Sequence, residues 1–369
     1  MLTTEQSTLL ALIRAALWDA EPPENADIAM NEARKQALVP LAFPESAEAK
    51  FGYAHYIRVL YAQNELISLM RTAGIPVLIL KGTAAAVYYP NPIQRTMGDI
   101  DFIVPQDRFE EASELLSASG YTLVQAKDTD DRHSGFARNG IAFELHHHFS
   151  FEGINVERYV TAGLQAPAII NVEGYEVPVL SDLGNGMTLL AHVASHLRGG
   201  LGLRQAIDWM MYCNAVLDDD MWKTSFQNAA KECGLEKLAV TLTRICQQYL
   251  GLGDQITWCS GADDDLCDEL LDNLLNAGNF GHANGSGARV EKVTTNIKRY
   301  GLFRFLQMAG ERNWKAYRRH HWLKPFCWLY QIFRYAKQGL KAGRNKEQIA
   351  DDLNRSQARY DLLTRLGID

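Results

Sequence analysis

Apolar residues in the first half of the chain follow two different spacings. Between residues 46 and 73 they recur every three or four positions, which is typical of one face of a long helix. After Gly74-Ile75-Pro76 they form short runs of strand length at 77–80 and 100–104. The change predicts a long helix that leads directly into a β-sheet. The helical positions are Tyr53, Tyr56, Ile57, Val59, Leu60, Leu66 and Leu69.

Strand patterns continue after a short amphipathic helix at 109–119. We predict strands at 121–125, 133–138 and 141–147, and Asn139-Gly140 between the last two favours a tight hairpin turn. Strands and helices of these lengths indicate a small mixed-sheet core of roughly 75 residues.

The rest of the chain is predicted to be mainly helical. Short helices at 4–20 and 26–39 precede the core, and the tail at 293–367 has a helical pattern. The stretch 154–180 is typical of irregular chain with short strands, and 279–287 is typical of a mobile loop. Other helices are predicted at 187–197, 204–217, 219–233, 236–250 and 263–276.

Together these elements predict an α+β protein with three parts. An N-terminal helical segment covers 1–73, a mixed-sheet core covers 74–180, and a helical domain covers 181–369. A chain of 369 residues is long enough for two or three domains.

Two carboxylates lie at the start of the second predicted strand. Asp99 and Asp101 are two residues apart, so their side chains share a face, while Ile100 and Phe102 point into the core. Neighbouring acids repel unless a cation lies between them, and Mg²⁺ prefers oxygen ligands together with substrate phosphates. We therefore predict a magnesium site here; an edge strand with exposed acids is the simpler alternative.

A glycine turn follows the first strand. Gly82 precedes a short helix at 83–88, and backbone N–H groups at such a turn favour an anion. Lys81 could neutralise a phosphate or be a solvated lysine at a strand end. Arg95 could contact a phosphate or pair with an acid.

The order of these segments resembles the nucleotidyltransferases of the DNA polymerase β type. That pattern is a hydrophobic strand, Gly82-Thr83, the pair Asp99-Ile100-Asp101, and a later strand with Glu144 as the third carboxylate. Over roughly residues 50–250 the chain is also similar to the bacterial family of uncharacterised nucleotidyltransferases. This narrower resemblance depends on Leu80-Lys81-Gly82, Tyr89-Pro90, Arg95, Asp99-Ile100-Asp101, Glu144-Leu145-His146 and Leu203-Arg204-Gln205-Ala206-Ile207-Asp208.

The resemblance implies a reaction and a site. A member of this family would move a nucleoside monophosphate from an NTP such as ATP to an acceptor hydroxyl or phosphate, with two Mg²⁺ ions. Asp99, Asp101 and Glu144 would be the catalytic metal ligands, with Glu144 as ligand or general base. The implied nucleotide-binding residues are Lys81, Gly82, Thr83, Arg95 and Arg204.

Other interpretations stay open. The long spacing between glycine turn and acidic pair, and a glutamate as third acid, also suit a nucleotide-binding or scaffold protein without catalysis. A polymerase-like or tRNA-directed activity would use a basic tail. Arg204 and Asp208 are four residues apart, so an ion pair on one helix is the alternative to a nucleotide contact.

The histidines give weaker indications. His146 and His148 share a strand face, but a positioning role for His146 beside the third acid, or a surface location, is favoured over zinc binding. His192 and His196 have zinc-binding spacing, yet Val193 stands where a metalloprotease has glutamate, so packing is the expected role.

Charge is distributed unevenly along the chain. The net charge is −7, but residues 298–346 contain thirteen Lys or Arg and one acid, Glu311, interleaved with aromatic residues. This composition suits an anionic partner, such as nucleic acid, a phosphorylated acceptor or an acidic membrane face. A helix pair with buried aromatics and a solvated basic face is the alternative.

Cysteine usage and hydropathy suggest a compartment. The six cysteines form no Cys-x-x-Cys pair, which favours buried reduced thiols. No stretch approaches the ~20 apolar residues of a membrane span, and no signal-peptide pattern is evident. We expect a cytoplasmic protein.

Overall fold

The computed structural model describes residues 2–125, 133–151, 153–279, 296–342 and 346–368. Apart from Asn279, the predicted mobile loop at 279–287 lies outside the described residues. The described chain combines a mixed sheet with many helices, which confirms the predicted α+β class. All six cysteines are buried and none is in a disulfide.

The sheet has five strands. They are β1 (Leu78–Leu80), β2 (Ile100–Ile103), β3 (Thr122–Gln125), β4 (His133–Arg138) and β5 (Ile141–His146). Their spatial order is β1-β2-β5-β4-β3, and β2 and β5 are parallel while every other pair is antiparallel. The antiparallel pairs follow the chain, whereas the parallel pair brings together two strands that are distant in sequence.

Helices form most of the rest of the described chain. The short helix predicted at 83–88 is α5 (Thr83–Ala86), which ends two residues earlier than predicted. The helices are α1 (Thr4–Trp18), α2 (Met30–Lys35), α3 (Val39–Ala42), α4 (Ala47–Thr72), α5 (Thr83–Ala86), α6 (Phe109–Ala118), α7 (Glu157–Gln165), α8 (Asp182–Leu197), α9 (Leu203–Ala215), α10 (Asp219–Met221), α11 (Gln227–Glu232), α12 (Glu236–Leu250), α13 (Asp264–Ala277), α14 (Leu302–Asn313), α15 (Lys315–Arg319), α16 (Cys327–Ala342) and α17 (Lys346–Leu366).

The long helix α4 covers one face of the sheet. Ser46 caps it, since the Ser46 hydroxyl accepts a hydrogen bond from the Ala49 N–H at 3.1 Å. Its apolar stripe packs with Ile79, Ile100 and Phe102 in one hydrophobic core. The alternating residues of the same strands therefore face the opposite side.

The opposite face of the sheet contacts the helical part of the chain. Leu78, Leu80 and Ile103 belong to a second core that also contains α1, α8, α9 and α12. Asp101 lies between Ile100 and Phe102 in sequence and so projects to this side. The α8–α9 contact is close, because a Cβ at Gly186 would overlap the Tyr212 ring.

The N-terminal residues are divided between the two cores. Helix α1 lies on α12, where Arg14 Nη1 donates to the Tyr249 carbonyl at 2.7 Å and Trp18 Nε1 donates to the Leu250 carbonyl at 2.6 Å. Helix α4 instead lies on the sheet. The three-part division at residues 73 and 180 stays a prediction.

One stretch differs from its predicted structure. Residues 154–180 contain helix α7 in addition to the predicted short strands, which pair as β6 (Ala168–Val172) and β7 (Tyr175–Val179). The α7 helix has just two buried positions, Val160 and Gly163, so its apolar periodicity is too short to recognise.

A separate observation concerns membranes. Within the described residues, no helix has both the length and the apolar character that crossing a bilayer requires.

Candidate active site

Three carboxylates from two strands meet on the helical side of the sheet. Asp99, just before β2, Asp101 in β2 and Glu144 in β5 each place an oxygen atom within 4.8 Å of the others. The parallel pairing of β2 with β5 causes this, because it sets Asp101 opposite Glu144. The structure thus brings together the three acids that the sequence singled out.

The two aspartates have different electrostatic surroundings. Burial and the neighbouring Asp101 carboxylate raise the pKa of Asp99 to about 6. Burial also acts to raise the pKa of Asp101, but Lys81 and His146 outweigh it and hold that pKa below its usual range. Asp99 is therefore the less compensated of the two negative charges.

Lys81 supplies a positive charge to this cluster. Its Nζ lies 2.9 Å from Asp101 Oδ2. The backbone places it there through a sharp turn, because Lys81 has a φ of 55° and Gly82 follows with a φ of 48°. Positive φ is uncommon for a residue with a side chain, and two in succession end β1 at the acidic cluster.

His146 lies between two of the three acids. Its Nε2 is 3.1 Å from Asp101 Oδ1 and 3.4 Å from Glu144 Oε2. Burial lowers the pKa of His146, but hydrogen bonds with Asp101 and Glu144 outweigh burial and raise it. These contacts agree with the positioning role expected for His146 beside Glu144.

A second group of ligand atoms adjoins the carboxylates. His133, Glu144 and His146 also place ligand atoms within 4.8 Å of one another. His146 Nδ1 is buried and has no hydrogen-bond partner among the described residues, so its proton is better placed on Nε2. A metal on Nε2 would force that proton onto Nδ1, which makes this group the poorer metal site. His148 instead pairs with Glu157, with Nδ1 2.9 Å from Oε2.

A buried ion pair forms the side of the site next to α9. Arg95 Nε donates to Asp208 Oδ1 at 2.8 Å and Arg95 Nη2 donates to Oδ2 at 2.7 Å. Tyr89 Oη donates to the same carboxylate at 2.8 Å. The partner of Asp208 is therefore Arg95, from the loop before β2. The sequence spacing had suggested an ion pair with Arg204 on the same helix.

Arg204 also reaches the site from α9. Its Nη1 donates to the Thr96 carbonyl at 3.0 Å. Burial and the neighbouring Arg95 lower the pKa of Arg204. The carboxylates of Asp208 and Asp99 act in the opposite direction, so Arg204 brings a buried positive charge to the acidic cavity.

The three acids, Lys81, Arg95, Arg204 and Asp208 line one cavity of about 120 Å³ between the sheet and α8 and α9. Helix α8 contributes Leu189, His192, Val193 and His196, which share one helical face. The two histidine rings are 4.2 Å apart. Burial and the charge of Lys81 lower the pKa of His192 well below its usual value, so His192 is neutral in this wall.

Sequence reasoning assigned His192 and His196 to packing and did not place α8 at the site. The available signal was the i, i+4 histidine pair together with Leu189 and Val193 on one face. Nothing in the local pattern says which surface that face contacts.

Gly82 and Thr83 take different positions at the turn. Gly82 lines the cavity, whereas the Thr83 side chain is fully buried and its hydroxyl donates to Gln63 Oε1 at 2.7 Å. The Thr83 hydroxyl thus points to α4 and away from the cavity. Nucleotide binding by Thr83 stays a prediction, and with its hydroxyl on Gln63 the contact would have to come from the Thr83 backbone.

The cavity therefore combines a cluster of acids that could hold a metal ion with a glycine turn and two arginines on a mixed sheet. The chain belongs to the family described as uncharacterised nucleotidyltransferase, whose model matches residues 30–251. The matched region includes every residue of the cavity described above and ends before the basic segment at 298–346.

Comparison with solved structures gives a distant likeness. The chain is similar to an antigenic nucleotidyltransferase-like protein from Paracoccidioides brasiliensis, at 13% identity over 53% of this chain and 95% of that chain, with a TM-score of 0.34. No curated protein matches the chain.

Proposed function

We propose that this protein transfers a nucleoside monophosphate from a nucleoside triphosphate to an acceptor hydroxyl or phosphate and releases pyrophosphate. The convergence of Asp99, Asp101 and Glu144 in one cavity carries the proposal. Membership of a nucleotidyltransferase family supports the reaction class. We also infer a distant relationship to the DNA polymerase β type, whose order of segments the sequence resembles.

The carboxylates fit a divalent cation that prefers oxygen ligands. Oxygen atoms within 4.8 Å of one another can surround an ion after small side-chain movements. Burial and the Asp101 carboxylate raise the pKa of Asp99, and a bound cation would offset both effects. When bound, Mg²⁺ would neutralise phosphate charge and stabilise the attacking and leaving oxygens, and we expect two ions.

The bonds that change are at the α-phosphorus. The acceptor oxygen attacks it while the bond to the β-phosphate oxygen breaks, and pyrophosphate leaves with that electron pair. Glu144, which is partly exposed in the cavity, is our choice to take the acceptor proton. Burial acts to raise the pKa of Glu144, but the hydrogen bond from His146 outweighs it and lowers that pKa, so Glu144 is ionised and able to accept a proton.

The positive side chains of the cavity would hold the phosphates. Arg204 and Lys81 both line it. Lys81 would then leave Asp101 for a phosphate oxygen, an exchange that its flexible side chain permits. Arg95 uses two of its nitrogens for Asp208, so its main role would be to fix the loop before Asp99.

Removal of single acids tests this assignment. We expect Asp99→Asn, Asp101→Asn and Glu144→Gln each to lower transfer by about a thousandfold or more. The two aspartate variants remove a ligand of the charge-stabilising ions, and the glutamate variant removes the group that takes the acceptor proton. Pyrophosphate release with Mg²⁺, a panel of nucleoside triphosphates and a panel of acceptors is the measurement.

The matched control is Glu114→Gln, an exposed acid on α6 away from the cavity. It should transfer at the rate of the unmodified protein. Folding of each variant is checked by circular dichroism. Unchanged transfer in either Asp variant would refute the metal-ligand assignment.

The ion pair of Lys81 with Asp101 favours a second candidate, a nucleotide-binding or scaffold protein without catalysis. In that case the cavity needs no cation at Asp101, because Lys81 already neutralises it. Calorimetry with ATP separates the two functions. Tight binding that ignores Mg²⁺, with no pyrophosphate from any acceptor, would establish the second candidate.

A further inference from the structure

Exposed apolar side chains are concentrated in the helices that follow the matched family region. Eight of the sixteen large apolar side chains that the structure describes as exposed lie within residues 302–333. We call residues 302–337 the basic aromatic segment. The eight are Leu302, Phe303, Met308, Trp322, Phe326, Leu329, Ile332 and Phe333.

Helix α16 has its apolar face directed outward. Leu329, Ile332 and Phe333 are spaced three and one residues apart, so they share a face, and Phe333 is 67% exposed. The opposite face holds Cys327 and Gln331, which are 0% and 1% exposed. A glutamine is therefore buried while three large apolar side chains of the same helix face outward.

Aromatic side chains extend this surface beyond α16. Trp322 is 71% exposed and Phe326 is 52% exposed in the 3₁₀ turn before the helix. Phe303 of α14 lies beside Trp328, with ring centres 5.7 Å apart. The apolar surface thus spans α14, the turn and α16.

Positive side chains border the same surface. Arg312, Lys315 and Arg334 line a cleft together with the stacked rings of Trp314 and Tyr330, whose centres are 5.0 Å apart. The Lys324 side chain is 63% exposed, and its Nζ is 3.9 Å from Glu311, the single acid of the segment. The segment is therefore strongly basic within a chain whose net charge is −7.

We propose that the basic aromatic segment docks this protein on the surface of an anionic lipid bilayer. The outward side chains of Trp322, Phe326 and Phe333 would enter the headgroup and upper acyl region, as in interfacial amphipathic helices. The lysines and arginines would contact lipid phosphates, which strengthens binding to an anionic surface.

The aliphatic members of the surface favour a bilayer over nucleic acid. Aromatic rings and arginines can stack on bases, but Leu302, Leu329 and Ile332 gain nothing from such stacking. An anionic lipid surface interacts favourably with aliphatic, aromatic and basic side chains together. The proposal goes beyond the nucleotidyl transfer proposed above and does not depend on it, because the segment contributes no residue to the acidic cavity.

Vesicle co-sedimentation of the full chain tests the proposal. We expect binding to vesicles of phosphatidylcholine with about a third phosphatidylglycerol, and little binding to phosphatidylcholine alone. Phe333→Ala should weaken the partition about tenfold, since it removes one buried apolar side chain. Lys324→Glu should weaken it about tenfold or more, because it reverses one charge at the surface.

Phe51→Ala is the matched control, because Phe51 is a 78% exposed aromatic on α4, far in sequence from the basic aromatic segment. It should bind vesicles like the unmodified protein. Both Phe333→Ala and Lys324→Glu alter exposed side chains, so each should keep the unmodified circular dichroism spectrum and melting temperature.

Several results would overturn the proposal. Absence of binding to anionic vesicles is one, and equal binding to both vesicle types is another. A concentration-dependent dimer that Phe333→Ala abolishes, without vesicle binding, would identify the surface as an interface between copies. Salt-dependent RNA binding without vesicle binding would identify a nucleic-acid surface.

Discussion

Asp99 and Asp101 are two residues apart, yet their surroundings shift their pKa values in opposite directions. Burial and the Asp101 carboxylate raise the pKa of Asp99 to about 6. Lys81 and His146 outweigh burial and lower the pKa of Asp101. At neutral pH, ionised Asp99 therefore lowers the stability of the folded state, whereas ionised Asp101 raises it.

The two aspartates should respond oppositely to neutralisation when no cation is added. An acid whose folded pKa is raised loses stability as pH rises from its unfolded value of 3.8 through about 6. Asp99→Asn should therefore raise the free energy of unfolding by roughly 1 kcal/mol above pH 6. The gain should disappear below pH 4. Urea denaturation in the presence of EDTA measures both values.

Asp101→Asn is the contrasting variant. Because the folded pKa of Asp101 is lowered, its ionised form stabilises the protein at neutral pH, and that contribution is lost as pH falls below the unfolded value. This variant should thus be less stable than the unmodified protein at pH 7. Asp254→Asn, at an exposed loop position, serves as the control. Equal shifts in the two cavity variants would contradict the assignment.

The turn between β1 and α5 sets the position of Lys81. Gly82 has a φ of 48° and a ψ of −117°, a combination that L residues avoid. A Cβ at Gly82 would lie 3.6 Å from Met97 Cε, which is an ordinary van der Waals distance. The surrounding atoms therefore leave room for a side chain at this position. The backbone conformation alone requires glycine.

Gly82→Ala should therefore destabilise the protein by about 1–3 kcal/mol through backbone strain. It should also lower transfer, since relief of the strain would move Lys81 away from Asp101. The free energy of unfolding and the rate of pyrophosphate release are the measurements. Gly261→Ala is the control, because Gly261 has open space around it and no positive φ. A fully stable, active Gly82→Ala would show that the turn is not constrained.

Local elements were largely predictable from the sequence, and long-range pairings were not. Asn139-Gly140 identified the β4–β5 hairpin, and both residues have the positive φ that such a turn requires. Glu236 and Leu250 are both the predicted and the observed ends of α12. By contrast, the parallel β2–β5 pairing and the contact of α8 with the cavity depend on tertiary packing, which no local spacing encodes. The prediction of Glu144 as the third acid came from family resemblance.

At the scale of the whole molecule, the cavity lies where the sheet meets the helical part of the chain. Arg95 and Asp208 join the two sides with both partners buried. Arg204 adds another connection, because its Nη1 donates to the Thr96 carbonyl at 3.0 Å. The site therefore exists only when both sides are assembled.

Asp208→Asn should lower the free energy of unfolding by about 3–5 kcal/mol, because it leaves the buried Arg95 charge without its partner. Tryptophan fluorescence and far-ultraviolet circular dichroism during urea denaturation measure the loss. Asp220→Asn, at an exposed position of the helical part, should change stability by less than about 0.5 kcal/mol. A similarly small effect of Asp208→Asn would show that the ion pair does not hold the two sides together.

The contact of Lys81 with Asp101 means that the cavity carries its own counterion. Nucleotide binding would then be an exchange, because the Lys81 ammonium group must leave the Asp101 carboxylate to contact a phosphate. A metal-bound triphosphate offers both replacements at once, a cation for the aspartate and a phosphate for the lysine. Free metal or bare nucleotide offers one of them. Under the proposed function, metal and triphosphate should therefore bind more tightly together than either binds alone.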